Sequence, residues 1–138
     1  MSYLVDTNIF LEVILSRRRK EECKNLLKQI SAGKIRGMLT DFSLYSLMLI
    51  MVSHKGYSEI KKFLSSLVAY KGLFVYNCTL DDKINCIDIA LNEGLDVDDS
   101  IQYAAALSLN AKAIISFDSN FDGLEIPKEE PAEVLKHL

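Results

Sequence analysis

The chain has 138 residues, of which 49% are hydrophobic and 25% charged, so the composition is that of a globular domain and excludes a disordered or collagen-like chain. Its formal net charge is -3, from 16 Lys and Arg against 19 Asp and Glu. A protein that binds nucleic acid through charge alone is usually basic. Any contact with nucleic acid is therefore expected to need cations that offset the acidic charge.

The cysteines and the N-terminal residues bear on cellular location. The three cysteines are an odd number without a CxxC motif, which argues against a disulfide framework and a zinc ribbon. Residues 1–6 lack the basic region and long apolar stretch of a signal peptide. The most apolar run, Leu44 to Val52, is too short to cross a bilayer. We therefore expect a cytoplasmic protein with no membrane partner.

Short apolar segments alternate with longer amphipathic ones along the chain. The apolar segments predict strands at residues 3–5, 35–40, 73–76 and 113–116, with a short fifth strand at 124–126. The amphipathic segments predict helices at residues 8–15, 18–32, 41–55, from 58 towards 72, 79–92 and 96–110. Asp41 is the expected cap of its helix. Thr79 and Asp82 resemble a capping box with Asp in place of Glu.

Strands that alternate with helices predict a single α/β domain whose central, mostly parallel sheet is flanked by helices. The crossovers are expected to be right-handed. The predicted domain covers residues 1–126, and residues 127–138 are expected to form a C-terminal tail of loop and short helix.

Acidic residues follow two predicted strands and open a predicted helix. Asp6 follows the first strand, Asp118 the fourth, and residues 96–99 carry three further acids at a helix start. Ligands of parallel sheets bind beyond the carboxyl ends of the strands. Carboxylates gathered there would repel one another, and a hard divalent cation such as Mg²⁺ or Mn²⁺ offsets that repulsion. Each acid also has a structural explanation, as a helix cap or a solvated turn.

A basic run, residues 17–20, opens the second predicted helix. It could steer RNA phosphates, or it could be a solvated face beside Glu21 and Glu22. Both interpretations remain open from the sequence.

Three segments in order carry a resemblance to a known family: Leu4–Ile9, Gly94–Ala106 and Ile114–Asp122. Together they resemble the PIN domain, and the small size of the chain is similar to that of VapC-type toxins of toxin–antitoxin pairs. The resemblance implies a PIN-like fold and an endoribonuclease that cleaves single-stranded RNA with Mg²⁺ or Mn²⁺.

The resemblance also implies roles for individual residues. The expected catalytic acids are Asp6, Asp99 and Asp118, and these acids together with Asp96 are the expected metal ligands. The expected supporting residues are Asn8, beside the first acid, Ser116, beside the last, and Ser46.

One position departs from the family pattern. Ser46 stands where the family has a Glu, and a hydroxyl cannot supply an anionic ligand or a base. Asp41, Asp96 or a water could compensate, or the enzyme could be weakened. The alternative function is therefore a catalytically weakened PIN domain that acts as an RNA-binding or protein-interaction module.

Two further inferences concern assembly and a rival fold. The apolar excess of residues 44–52 and the resemblance predict a homodimer that also holds an antitoxin segment. A receiver-like phosphoacceptor domain would share the alternation of strands and helices. It is disfavoured because Thr7, not a second acid, follows Asp6, and because no acid directly follows the third strand.

Overall fold

A computed structural model describes residues 2–138, which form one five-stranded sheet and seven α-helices. The strands are β1 (Tyr3–Val5), β2 (Gly37–Thr40), β3 (Leu73–Tyr76), β4 (Ile114–Ile115) and β5 (Lys128–Glu129). The helices are α1 (Thr7–Ile14), α2 (Lys20–Ser31), α3 (Asp41–His54), α4 (Tyr57–Val68), α5 (Leu80–Glu93), α6 (Val97–Ser108) and α7 (Pro131–Leu135). A short 3₁₀ helix covers Ser119–Phe121.

The sheet order β3-β2-β1-β4-β5 places β1 at the centre, and every pairing is parallel. The predicted α/β fold with a mostly parallel sheet is therefore confirmed. Val5 of β1 pairs with Ile115 of β4. Because both strands end at this pair, the next residues, Asp6 and Ser116, emerge side by side, and the Asp6 N–H donates to the Ile115 carbonyl at 3.0 Å.

The alternation of side chains along the central strands builds a core on both faces of the sheet. Val5 and Ile115 face a layer that includes α1 and α2. Leu4 and Ile114 face the opposite layer, to which Tyr103 of α6 contributes. All four strand residues are fully buried, and each contributes roughly 1.5–3 kcal/mol of hydrophobic stabilisation. The strand ends that carry the acids are thus held by a rigid core.

Helix caps decide where several helices begin and end. The capping box of Thr79 and Asp82 at the start of α5 is confirmed, and α5 ends at Gly94 in the left-handed conformation, φ 69°. The cap of α3 differs from the prediction. Thr40, not Asp41, accepts a hydrogen bond from the Ser43 N–H, because the chain is still extended at Thr40 and turns helical at Asp41.

The C-terminal region differs from the sequence prediction in two ways. The fifth strand lies at Lys128–Glu129 and not at residues 124–126. Instead, the Ile126 N–H donates to the Tyr103 hydroxyl, so this backbone is used for packing against α6. Residues 127–138, predicted as a tail, contribute β5 to the sheet and α7 to the core, where Val134 is 1% exposed.

The apolar run at the centre of α3 divides between the core and the surface. Leu47 and Met51 are buried, whereas Tyr45, Leu49 and Val52 are exposed at 63%, 60% and 48%. Within residues 2–138, no helix combines the length and the apolar character that crossing a membrane requires.

Candidate active site

Asp6 occupies the N-cap position of α1, but its side chain does not cap the helix. Its carboxylate instead accepts a hydrogen bond from the Ser116 hydroxyl at 2.7 Å on Oδ2 and one from the Gln102 amide at 3.4 Å on Oδ1. The simple explanation of Asp6 as a helix cap therefore fails. The carboxylate is held at the carboxyl end of the sheet by its neighbours on β4 and α6.

Burial and charge both act on Asp6, which is 7% exposed. Burial raises the pKa of Asp6 above its usual value, and the charge of Asp118 raises it further. The Ser116 hydroxyl and the backbone amides of Thr7 and Asn8 lower this pKa, but they do not reverse the shift. The ionised form of Asp6 is thus under-stabilised by the protein alone.

Asn120 connects the two other predicted catalytic acids. Its backbone N–H donates to Asp118 Oδ1 at 2.9 Å, and its side-chain amide donates to Asp99 Oδ2 at 3.1 Å. Ser116 adds a further link, because its hydroxyl oxygen accepts the Asp118 N–H at 2.9 Å. The structure therefore brings Asp6, Asp99 and Asp118 to one end of the domain through Ser116 and Asn120.

Asp99 is half-buried in the first turn of α6. Burial raises its pKa to about 6, and the negative charges of Asp96, Asp118 and Asp6 contribute to the same shift. The Asn120 amide opposes the shift only in part. Burial is thus the main cause of the raised pKa of Asp99, and the charges of the neighbouring acids add to it.

Two predicted site residues, Asp96 and Asn8, are exposed to solvent at the starts of their helices. Asp96 is exposed and caps α6 by accepting the Asp99 N–H at 2.9 Å. Asn8 is exposed in the first turn of α1, and its backbone amide contributes to lowering the pKa of Asp6. The metal-binding and supporting roles assigned to these residues stay predictions.

A buried polar network beside Asp6 was missed by the sequence analysis. Gln102 is 4% exposed, and its carbonyl oxygen accepts hydrogen bonds from Ser43 at 2.8 Å and Thr40 at 3.4 Å. Thr7 in turn donates to the Ser43 hydroxyl at 3.1 Å. The sequence feature that indicates this network is a glutamine among the apolar residues 101–106. A polar side chain buried there needs hydrogen-bond partners inside the fold.

Ser46, at the expected Glu position, lies one helical turn after Ser43 in α3 and is half-buried. It lines a cavity of about 360 Å³ together with residues of α3, α5 and α6. The other lining residues are Asp41, Phe42, Tyr45, Leu49, Cys78, Lys83 and Ile101. Asp41, a candidate to compensate for the missing acid, is engaged locally, since its Oδ1 accepts the N–H groups of Phe42 and Cys78.

The basic run at residues 17–20 contains one structural residue. Arg19 pairs with Glu22 at 3.0 Å and with Glu130 at 2.8 Å, and its guanidinium lies 4.1 Å from the centre of the Phe117 ring. Arg19 therefore braces the segment between Ser116 and Asp118. Arg17 and Arg18 are exposed to solvent.

The acids fit a divalent cation by their chemistry. They offer hard carboxylate oxygens, the ligands that Mg²⁺ and Mn²⁺ prefer. Burial raises the pKa values of Asp6 and Asp99, and the charges of neighbouring acids add to both shifts. A bound cation would favour the ionised forms. In the arrangement of residues 2–138, however, no three His, Cys, Asp or Glu side chains are grouped closely enough to hold a metal ion. The ligand set therefore stays a prediction.

The chain is thus an α/β domain with a parallel sheet, and its candidate acids lie at the carboxyl end of the strands, where ligands of such sheets bind. A family profile for the PIN domain matches residues 3–126. The chain belongs to the PIN domain family, and the resemblance drawn from its three motifs is confirmed. No curated protein matches the chain significantly.

Solved structures of low sequence identity share the fold. A toxin–antitoxin complex from Klebsiella pneumoniae is 21% identical with a TM-score of 0.73, over 94% of this chain and 98% of that chain. VapC20 from Mycobacterium tuberculosis, described as a sarcin–ricin loop cleaving toxin, is 14% identical with a TM-score of 0.77, over 94% and 100%. VapBC2 from Rickettsia felis, bound to a promoter DNA fragment, is 15% identical with a TM-score of 0.72, over 94% and 98%.

Proposed function

We propose that this PIN domain is an endoribonuclease that cleaves single-stranded RNA with Mg²⁺ or Mn²⁺ and serves as the toxin of a VapBC-type pair. One observation carries the proposal. Asp6, Asp99 and Asp118 come from three separate segments, and Ser116 and Asn120 link them by hydrogen bonds of 2.7–3.1 Å at one end of the domain. The toxin function is further supported by the similarity to structures described as toxins and toxin–antitoxin complexes.

In this proposal Asp6, Asp99, Asp118 and Asp96 hold the cation. When bound, the ion supplies Lewis acidity and neutralises phosphate charge, which lets an acidic site accept an anionic RNA backbone. Ser116 orients Asp6 and the Asp118 backbone with one hydroxyl. Asn120 fixes Asp99 against Asp118.

The proposal predicts that Asp6→Asn lowers RNA cleavage by orders of magnitude while the protein stays folded. The change removes one charge from the site, and lost charge stabilisation of a transition state costs several kcal/mol. The measurement is cleavage of a set of labelled single-stranded RNAs with Mg²⁺, with Mn²⁺ and with a chelator. We expect cleavage only with the metals.

Asp122→Asn is the matched control. Asp122 lies four residues after Asp118, is exposed, and pairs with Lys128 at 2.7 Å. Its replacement likewise removes one negative charge and should leave cleavage unchanged. Cleavage that persists in chelator, or that survives Asp6→Asn, would contradict the proposal.

The second candidate function is a weakened PIN domain that binds RNA or protein without cleaving. The observation that favours it is Ser46, which offers no carboxylate at the expected Glu position. RNA binding without cleavage, in wild type and in Ser46→Glu with Mn²⁺ present, would favour this alternative.

The protein partners in the proposal are a second copy of the chain and an antitoxin segment. Two helices carry exposed apolar stripes at helical spacing. The stripe residues are Tyr45, Leu49 and Val52 on α3 and Leu80, Ile84, Ile87 and Leu91 on α5. Apolar surface on this scale is typical of a protein–protein interface.

We expect Ile87→Glu to shift the protein from dimer to monomer, because it places a charge within the α5 stripe. The measurement is light scattering at micromolar concentration. Val68→Glu is the control, since Val68 is 88% exposed on α4 and outside both stripes. A wild-type protein that is only monomeric would contradict the dimer.

A further inference from the structure

Gln102 is an unusual residue for its position in the fold. It is 4% exposed in the middle of α6, and its neighbours Ile101, Tyr103 and Ala104 are buried and largely apolar. Burying an amide is unfavourable unless its donors and acceptor find partners. The partners of Gln102 lie on β2, on α3 and at the end of β1.

The Gln102 side chain accepts hydrogen bonds at its oxygen and donates one at its nitrogen. Thr7 donates to Ser43 at 3.1 Å, and Ser43 donates to Gln102 Oε1 at 2.8 Å. Thr40 donates to the same oxygen at 3.4 Å. Because hydroxyl donors occupy the amide oxygen, the amide nitrogen must point the other way. It points at Asp6 Oδ1, 3.4 Å away.

Asp6 is therefore held at both of its oxygens. Ser116 donates to Oδ2 at 2.7 Å and Gln102 to Oδ1. In these two contacts each carboxylate oxygen accepts one side-chain hydrogen bond, of the two that it can accept. The Gln102 contact is longer than the usual N–H···O range of about 2.7–3.2 Å. It thus restrains the orientation of the carboxylate without neutralising it.

We infer that Gln102 is a positioning residue for Asp6, with its amide orientation set by Ser43. The inference rests on the proposed function, because it assigns Asp6 to a divalent cation. Residues that orient a metal ligand affect metal affinity although they do not touch the metal. In this chain the link also joins α3, which lacks the expected acid at position 46, to the acid end of the sheet.

The test measures Mn²⁺ binding to the full chain without RNA, by electron paramagnetic resonance, and then kcat and KM for RNA cleavage. Gln102→Met keeps the length and fills the space of the side chain but removes its amide. We expect Mn²⁺ affinity to fall by about 10–100-fold. We expect kcat to fall with it while KM for RNA stays close to wild type.

Tyr103→Phe is the matched control. It removes one buried hydrogen bond, from the Ile126 N–H to the Tyr103 hydroxyl, one residue further along the same helix. It should leave Mn²⁺ affinity at the wild-type level. A loss in Tyr103→Phe as large as that in Gln102→Met would overturn the inference, because both changes would then act through the packing of α6.

Ser43→Ala gives a second test that alters only one hydroxyl. It removes the 2.8 Å bond that orients Gln102, so Mn²⁺ affinity should fall in the same direction but less far. Wild-type affinity in Gln102→Met, or in Ser43→Ala, would overturn the inference. A separate result would overturn the proposed function itself: wild type that shows no Mn²⁺ binding sensitive to Asp6→Asn.

Discussion

Two buried aspartates in this domain have opposite electrostatic environments. Asp6 is 7% exposed and Asp82 is 3% exposed, so burial acts against the charge of both. The pKa of Asp6 is nevertheless raised, whereas that of Asp82 is lowered to about 2. The difference lies in the neighbours that each carboxylate has.

Asp82 is surrounded by hydrogen-bond donors. It accepts bonds from the Tyr76 and Ser108 hydroxyls at 2.6 Å and from the Thr79 N–H at 2.9 Å. Together these donors outweigh the cost of burial. Asp82 therefore joins β3, α5 and α6 as a permanent structural anion.

Asp6 has one short side-chain hydrogen bond, one long one, and the backbone amides of Thr7 and Asn8, and the negative charge of Asp118 lies nearby. The fold thus favours the charged form of Asp82 and disfavours the charged form of Asp6. Unrelieved charge of this kind is typical of functional sites. The comparison separates the structural acid from the candidate catalytic acid without any reference to the family.

The largest stability effect is expected at Asp82. A folded pKa of about 2, against the usual 3.8, corresponds to about 2 kcal/mol of stability at neutral pH. Because the folded pKa is depressed, this stability is present above about pH 4 and is lost as the pH falls towards 2. Asp82→Asn should therefore lower the free energy of unfolding by about 2 kcal/mol at pH 7.

Urea unfolding between pH 3 and pH 7 measures this effect. Asp81→Asn is the control, because Asp81 is exposed in the same first turn of α5. It should change stability by only a few tenths of a kcal/mol. If Asp82→Asn is as stable as wild type at pH 7, the charge of Asp82 does not stabilise the fold, and its contrast with Asp6 is lost.

The sequence predicts the local contacts of Asp82 but not its tertiary ones. The capping box of Thr79 and Asp82 follows from local spacing, and the structure confirms it. Tyr76 and Ser108, the other partners of Asp82, lie on separate elements and depend on tertiary packing. Local patterns therefore reveal the cap but not the three-element junction that it forms.

The same limit applies to the candidate site. Asp6, Asp99 and Asp118 could be singled out because they follow strands or open a helix, and because three motifs resemble the PIN family. Gln102 and Asn120 could not, because their importance depends on which side chains the fold places beside them. The fifth strand was misplaced because its two residues pair through tertiary contacts and carry no apolar pattern of their own.

The second prediction concerns Asp99, whose response to pH should be opposite to that of Asp82. Its pKa is raised from 3.8 to about 6, so the stability of the metal-free protein should fall as the pH rises from about 4 to about 6. The full shift corresponds to about 3 kcal/mol, and solvent screening at a half-buried site reduces this to about 1–2 kcal/mol. Asp99→Asn should remove the penalty.

Unfolding in chelator measures the Asp99 effect. The Asn variant should exceed wild type in stability at pH 7 and match it below pH 4. Adding Mn²⁺ should reverse the order at pH 7, because an ion that binds only the folded wild type stabilises it. If Asp99→Asn is less stable than wild type in chelator, the acids do not strain the fold, and the contrast with Asp82 fails.

The last prediction concerns Ser46→Glu, which adds a carboxylate on α3 near Asp6 and its neighbouring acids. Ser46 lies one turn after Ser43 on α3, and residues three apart share a helix face. Ser43 reaches Asp6 through Gln102, so a carboxylate from Ser46→Glu should extend towards the same acids.

Without metal, the added charge in Ser46→Glu should lower the melting temperature by a few degrees, the shift expected for about 1 kcal/mol. With Mn²⁺ the variant should gain more stability than wild type and cleave RNA faster, because a further oxygen ligand and base become available. Ser66→Glu, on the exposed surface of α4, is the control for the charge alone. If both variants respond equally to Mn²⁺, position 46 does not face the site, and its serine does not explain any weakness of the enzyme.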